Sequence, residues 1–211
     1  MDATEAVVGA AQVTSTWTAT TLSSVLAGPP RERSAGPMPV VTVTAYDQTS
    51  VPPQTMNRAK LTVTYICAAA GVQVIWMKPS ATQSVTAAFA IRLLIRPQAV
   101  NGSRLLMGMT LGDTHDTGGL AFVFYDRVLQ SAHEREQDVA RVLAYAMLHE
   151  MGHLLLPPPA HTSSGIMRAT WDNDDLRRIT DGSLQFTTAQ QSAIRAKAQT
   201  CCSPSPGIKG S

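Results

Sequence analysis

The segment His149-Glu150-Met151-Gly152-His153 sets two imidazoles four residues apart, with a carboxylate one step after the first. On an α-helix, residues four apart stand one above the other, so both rings can reach a single metal ion. Glu150 is rotated by about 100° from His149 and can touch a metal-bound water without ligating the metal. Five-residue patterns of this kind also arise by chance, as two solvated histidines on a surface helix. Two features weigh against that reading: two of the five histidines of the chain fall inside the pattern, and Ala146, Met147, Leu148, Leu154 and Leu155 around it are apolar. Burying two imidazoles there without partners would cost free energy.

A catalytic zinc site takes three protein ligands and keeps a fourth position open. No glutamate follows Glu150, which excludes the zinc peptidases whose third ligand is a downstream Glu. The remaining candidates are His161 and the carboxylates Asp172, Asp174, Asp175 and Asp181. His161 is favoured because it stands just beyond Pro157-Pro158-Pro159, where the chain must turn back past the helix end, and because imidazole is the commoner ligand. Asp113, His115 and Asp116 could hold a second, structural cation; otherwise His115 and His133 read as loop residues.

These residues need elements to carry them. Val40 to Tyr46 is rich in β-branched residues and is followed by turn formers, which predicts a strand. Pro52 and Pro53 suit the first turn of a helix, continued by apolar residues at Met56, Ala59, Val63, Ile66, Cys67 and Ala70 and ended by Gly71. Further strands are expected over Val72 to Met77, Phe89 to Ile95, Leu105 to Leu111 and Leu120 to Tyr125. A polar connection through Ser131 and His133 then leads into a long helix with Val139, Val142, Leu143, Ala146 and Met147 on its inward face, stopped near Leu156 by the three prolines. A last helix, capped by Thr187 or Thr188, runs through Ala189, Ala193, Ile194 and Ala198.

The stretch from His149 to Met167, including His161-Thr162-Ser163-Ser164-Gly165-Ile166-Met167, resembles the metzincin clan of zinc metallopeptidases and, within it, the matrixin-like third histidine and methionine turn. The resemblance implies zinc (Zn2+) on His149, His153 and His161, Glu150 as general base, and Met167 as an apolar floor beneath the rings. It also implies an α+β, metzincin-like zincin: a mixed, twisted five-stranded sheet with a backing helix and an active-site helix, then a small helical C-terminal subdomain. Leu156 stands where the family has a glycine, and the third histidine comes two residues later than in the family. No tyrosine follows Met167, so the phenolic group of some relatives has no counterpart. A secreted or periplasmic location fits the resemblance, although the start of the chain lacks the basic end and apolar run of a secretory signal.

The chain of 211 residues, 44% hydrophobic, can bury one sizeable core. Residues 1–37 read as an N-terminal extension or pro-segment with a linker over 28–37, in which Asp2, Glu5 or Glu32 could occupy the open zinc position. The catalytic domain is expected over 38–211, with an upper half at 38–156 and a lower half at 157–211. A net charge of +2 without basic runs gives no reason to expect nucleic acid as partner, and no apolar stretch reaches the roughly 20 residues of a membrane span. Cys67, Cys201 and Cys202 are too few for a disulfide framework; a buried thiol at Cys67 is favoured, with one bridge from Cys67 to the terminal pair as the alternative.

The function expected is therefore zinc-dependent endopeptidase activity, by a monomer, on a peptide or protein. Three neutral imidazoles leave the charge of the ion uncompensated and lower the pKa of its water toward about 7. Glu150 takes the proton and passes it to the leaving amine. By the resemblance, the edge strand would hold an extended peptide, and Leu105 to Leu111 is the candidate. The alternatives are an Asp-ligated zincin and an inactive zincin-like binding or scaffold protein.

Overall fold

Alternation of side chains along the strands decides which face of the sheet is covered. The computed structural model describes residues 37–79, 90–97, 107–111 and 118–202. Within them, Val41, Val43 and Ala45 of β1 (Val40–Asp47) and Ile91, Leu93 and Ile95 of β3 (Ala90–Arg96) are buried at every second position, as a pleated strand with one covered face requires. β2 (Gln73–Met77) lies beside β1, and the order across the five-stranded sheet is β2-β1-β3-β5-β4. β5 (Gly118–Phe124) runs parallel to β3, and β4 (Gly108–Leu111) alone runs antiparallel, pairing Met109 with Phe122 and Thr110 with Ala121.

α1 (Pro53–Ala69) starts on Pro53 and buries Met56, Ala59, Val63, Ile66 and Cys67, matching the spacing of threes and fours in the sequence. Cys67 is a free, buried thiol. α3 (Val139–Leu155) is built from Ala, Leu and Met, all strong helix formers. It is apolar nearly all round because it is covered nearly all round: α1, β4 and β5 all pack against it. Its burial therefore goes beyond the single inward face expected, taking in Ala144, Tyr145, Leu148 and Met151 as well.

Two helices replace segments read as irregular. The segment through Ser131 and His133, expected as a polar connection, together with Tyr125, expected as a strand end, forms α2 (Tyr125–Glu134), which buries Tyr125, Val128 and Ala132 and carries His133 in its last turn rather than on a loop. Only three apolar side chains are buried on it, at spacings of three and four, and the exposed Leu129 and the polar residues between them mask the period. Residues after Met167 form α4 (Asn173–Asp181), whose N-cap Asp172 accepts from the Asp174 and Asp175 amides while the Asp175 carboxylate returns to the Asp172 amide. This capping box carries Asp at its far position in place of the usual Glu or Gln, and only Leu176 and Ile179 supply an apolar period.

α5 (Thr188–Cys202) begins just after Thr187, one of the two expected caps. The Gln190 amide donates to Thr187 Oγ1 and the Thr187 amide to Gln190 Oε1, a capping box of the Thr-x-x-Gln form. No helix among the described residues is long and apolar enough to cross a membrane. The expected strand over Leu105 to Leu111 is observed from Gly108, and His115, Asp113 and Asp116 lie outside the described residues, as do residues 1–36.

Candidate metal centre

α3 ends by a route that its own sequence dictates. Leu156 precedes Pro157, and the proline ring biases the residue before it toward extended backbone. Leu156 accordingly leaves the helix at φ −108° and ψ 147°, its amide still donating to the Gly152 carbonyl at 2.9 Å. The helix exit that a glycine would make with positive φ is here an extended one, and the three exposed prolines carry the chain to His161.

The loop after the prolines is closed by main-chain bonds. The Thr162 amide donates to the Met167 carbonyl at 3.0 Å, and the Ile166 amide to the Gln185 carbonyl at 3.1 Å. From the start of α5, the buried Gln190 amide group donates to Thr162 Oγ1 at 3.0 Å and reaches the Ala160 carbonyl at 3.5 Å. The residues on both sides of His161 are thus held by one side chain.

His149, His153 and His161 converge. Nε2 of His149 lies 3.2 Å from Nε2 of His153 and 3.3 Å from Nε2 of His161. All three nitrogens fall within 4.8 Å of one another, the one such grouping of His, Cys, Asp or Glu among the described residues. Donors about 3.3 Å apart are what a tetrahedral ion with bonds of about 2.0–2.1 Å to nitrogen needs. The donor set therefore fits a zinc ion.

The ring of His149 is oriented from behind. Its Nδ1–H donates to the Ile166 carbonyl at 2.9 Å, which leaves the Nε2 lone pair facing the cluster. Trp171 Nε1 donates to the same carbonyl at 3.1 Å, and its ring stands edge-on to His149 at 5.9 Å. Burial holds the His149 imidazole down near 4, against the Ile166 carbonyl, which raises it; the neighbouring rings of His153 and His161 lower it further. Burial, and then the His161 ring, lower His153 as well. Both rings are thus neutral near pH 7 and offer lone pairs.

Glu150 is buried, and burial pushes its carboxyl up to about 7, with the Thr110 hydroxyl drawing it back down. Thr110 Oγ1 lies 2.9 Å from Glu150 Oε2. Met167 is fully buried, and a Cβ on Gly152 would lie 2.2 Å from its sulfur. The glycine inside the two-histidine turn is what lets the methionine pack against the helix there. The four aspartates weighed as ligands are engaged elsewhere. Asp172 and Asp175 cap α4 and pair with Arg168, Asp174 pairs with Arg177, and Asp181 accepts from the Ser183 amide.

The three histidines and Glu150 line one cavity of about 640 Å³, bounded by Gly108 and Thr110 of β4, Arg127 and Gln130 of α2, and Trp171. Of the residues that shape this site, Gly108 and Thr110 were expected only as part of the strand over Leu105 to Leu111, Trp171 only as part of the loop after Met167, and Gln190 carried no signal. Thr187 was expected only as one of two possible caps of the last helix, without its Gln190 partner.

No family model matches the chain, and no curated protein matches it. Among solved structures, the archaemetzincin of Methanopyrus kandleri is similar over 81% of this chain and 98% of its own, at 16% identity and a TM-score of 0.42. A protein of Thermotoga maritima, known from its solution structure, is similar over 80% of this chain and 99% of its own, at 10% identity and a TM-score of 0.33. Both likenesses are loose.

Proposed function

We propose that the described domain is a zinc-dependent endopeptidase of metzincin-like architecture. The observation that carries this reading is the convergence of three imidazole nitrogens, supplied by a helix and a proline-led loop, on a cavity that also takes in a buried carboxylate. His149, His153 and His161 would hold the ion, with Met167 packed behind the helical turn. Zinc supplies Lewis acidity toward the peptide carbonyl and a bound water whose pKa is lowered toward about 7.

The rest of the work falls to the chain. Glu150, which lines the same cavity as the three imidazoles, accepts the proton of the attacking water and passes it to the leaving amine. Among the described residues β4 ends the sheet, with β5 on one side, and its other edge would offer backbone groups to an extended peptide. Arg127 and Gln130 of α2 and Trp171 bound the space beside the reacting bond.

A scaffold without turnover would gain nothing from burying an ionisable carboxylate at this place, since that burial disfavours its charge. The test is metal content and cleavage of denatured casein in variants. Glu150→Ala is expected to keep zinc and lose cleavage by at least about a hundredfold, the scale of a general base. His153→Ala is expected to lose both. Full cleavage by Glu150→Ala removes the proposed base, and full zinc content in His153→Ala removes the proposed ligand set.

A further inference from the structure

The side chains of β4 alternate. Met109 and Leu111 face outward and are exposed, while Gly108 and Thr110 face α3. Both inward positions meet the same group. A Cβ on Gly108 would lie 2.5 Å from Cγ, Cδ and Oε1 of Glu150, so only a residue without a side chain leaves room for the carboxylate. Two residues on, Thr110 Oγ1 stands 2.9 Å from Glu150 Oε2 and 3.3 Å from the Glu150 main-chain carbonyl oxygen. One strand thus supplies both a recess for this carboxylate and a hydroxyl donor to it.

We propose that Thr110 is a positioning residue, whose hydroxyl holds the Glu150 carboxylate in one orientation within the recess left by Gly108. The inference rests on Glu150 being the proton acceptor of the site. A buried carboxylate with free torsions would sample orientations in which neither oxygen meets the water, and a charge-assisted hydrogen bond to one oxygen removes that freedom. The arrangement has a second consequence. The strand whose outer edge would receive the peptide is the strand that clamps the base, so substrate and proton acceptor are registered on the same four residues.

The experiment compares Thr110→Val, which keeps shape and strand preference, with Thr110→Ser, which keeps the hydroxyl. Thr110→Val is expected to lower kcat by about ten- to a hundredfold, the scale of a lost hydrogen bond to a charged group, with KM and zinc content unchanged. Thr110→Ser is expected to retain most of the wild-type kcat. Crystals of metal-free Thr110→Val are expected to show the carboxylate swung away from β4. Wild-type kcat in Thr110→Val, or a carboxylate that keeps its place, overturns the proposal. If the zinc-loaded wild-type protein cleaves no peptide, the peptidase reading fails by itself, and the carboxylate position in metal-free Thr110→Val still decides the role of Thr110.

Discussion

Each histidine of the cluster has a different support. His149 is tied through Nδ1 to the Ile166 carbonyl, His153 follows from it by helical repeat, and His161 depends on a loop gripped by Gln190. Gly152 is the residue on which these supports meet, because the Met167 sulfur occupies the space its side chain would take. Alanine is favoured over glycine inside a helix by up to about 1 kcal/mol. Overpacking a filled core costs roughly 1–3 kcal/mol. With Met167 fully buried and Phe186 also 3.3 Å from the added carbon, the overlap wins. Gly152→Ala is expected to lower unfolding stability by about 1–2 kcal/mol net of the helix gain and to weaken zinc retention. Chemical denaturation and metal analysis after dialysis would check this, and unchanged values in both would show that Met167 has room to move.

At the scale of elements, α3 carries two of the three imidazoles and the carboxylate, so its ends set the site. Its start is fixed by Asp138, whose carboxylate accepts from the Ala140 amide at 3.0 Å and also pairs with Arg58 of α1. Asp138→Ala is expected to cost about 1 kcal/mol through the lost cap. Arg58→Ala is expected to cost less, because its guanidinium is exposed and exposed ion pairs contribute about 0–1 kcal/mol. Equal losses in urea titrations of the two variants would assign the effect to the ion pair instead. α3 and α1 were legible in the sequence because their apolar residues are dense and regular. α2 and α4 were not, since each buries only two or three apolar side chains and α4 is held by its own carboxylates. Those carboxylates looked like candidate ligands, and the capping box explains why they are clustered.

Among the described residues, one core joins the sheet, α1, α3 and α5, and it encloses groups that ionise only in strong alkali. Burial pushes the Cys67 thiol from about 9 up to about 12. It also raises the Tyr145 phenol from 10 to about 12, where Arg141 lowers it and Asp181 raises it, and its hydroxyl donates to the Leu184 carbonyl. Both groups stay protonated in the fold and ionise earlier when unfolded. Their contribution is complete below about pH 9 and is lost as pH rises toward 12. Stability measured by urea unfolding is therefore expected to fall steadily above pH 9, and Cys67→Ala is expected to flatten that fall. A pH-independent midpoint between 9 and 11 would contradict the burial of these groups.

What the sequence determined by itself is local. The turn of helix bearing His149, Glu150 and His153, the proline stop, and the five strands all follow from periodicity and from the stereochemistry of proline, which act over a few residues. Long-range packing decided the rest. That His161 rather than an aspartate completes the cluster depends on Gln190 reaching back across 28 residues to Thr162. That Glu150 is bonded to Thr110 depends on an edge strand 40 residues earlier lying against α3. Such pairings leave no periodic trace, because a hydrogen bond between distant positions asks only for one donor and one acceptor at the right place, and many residues could have supplied either.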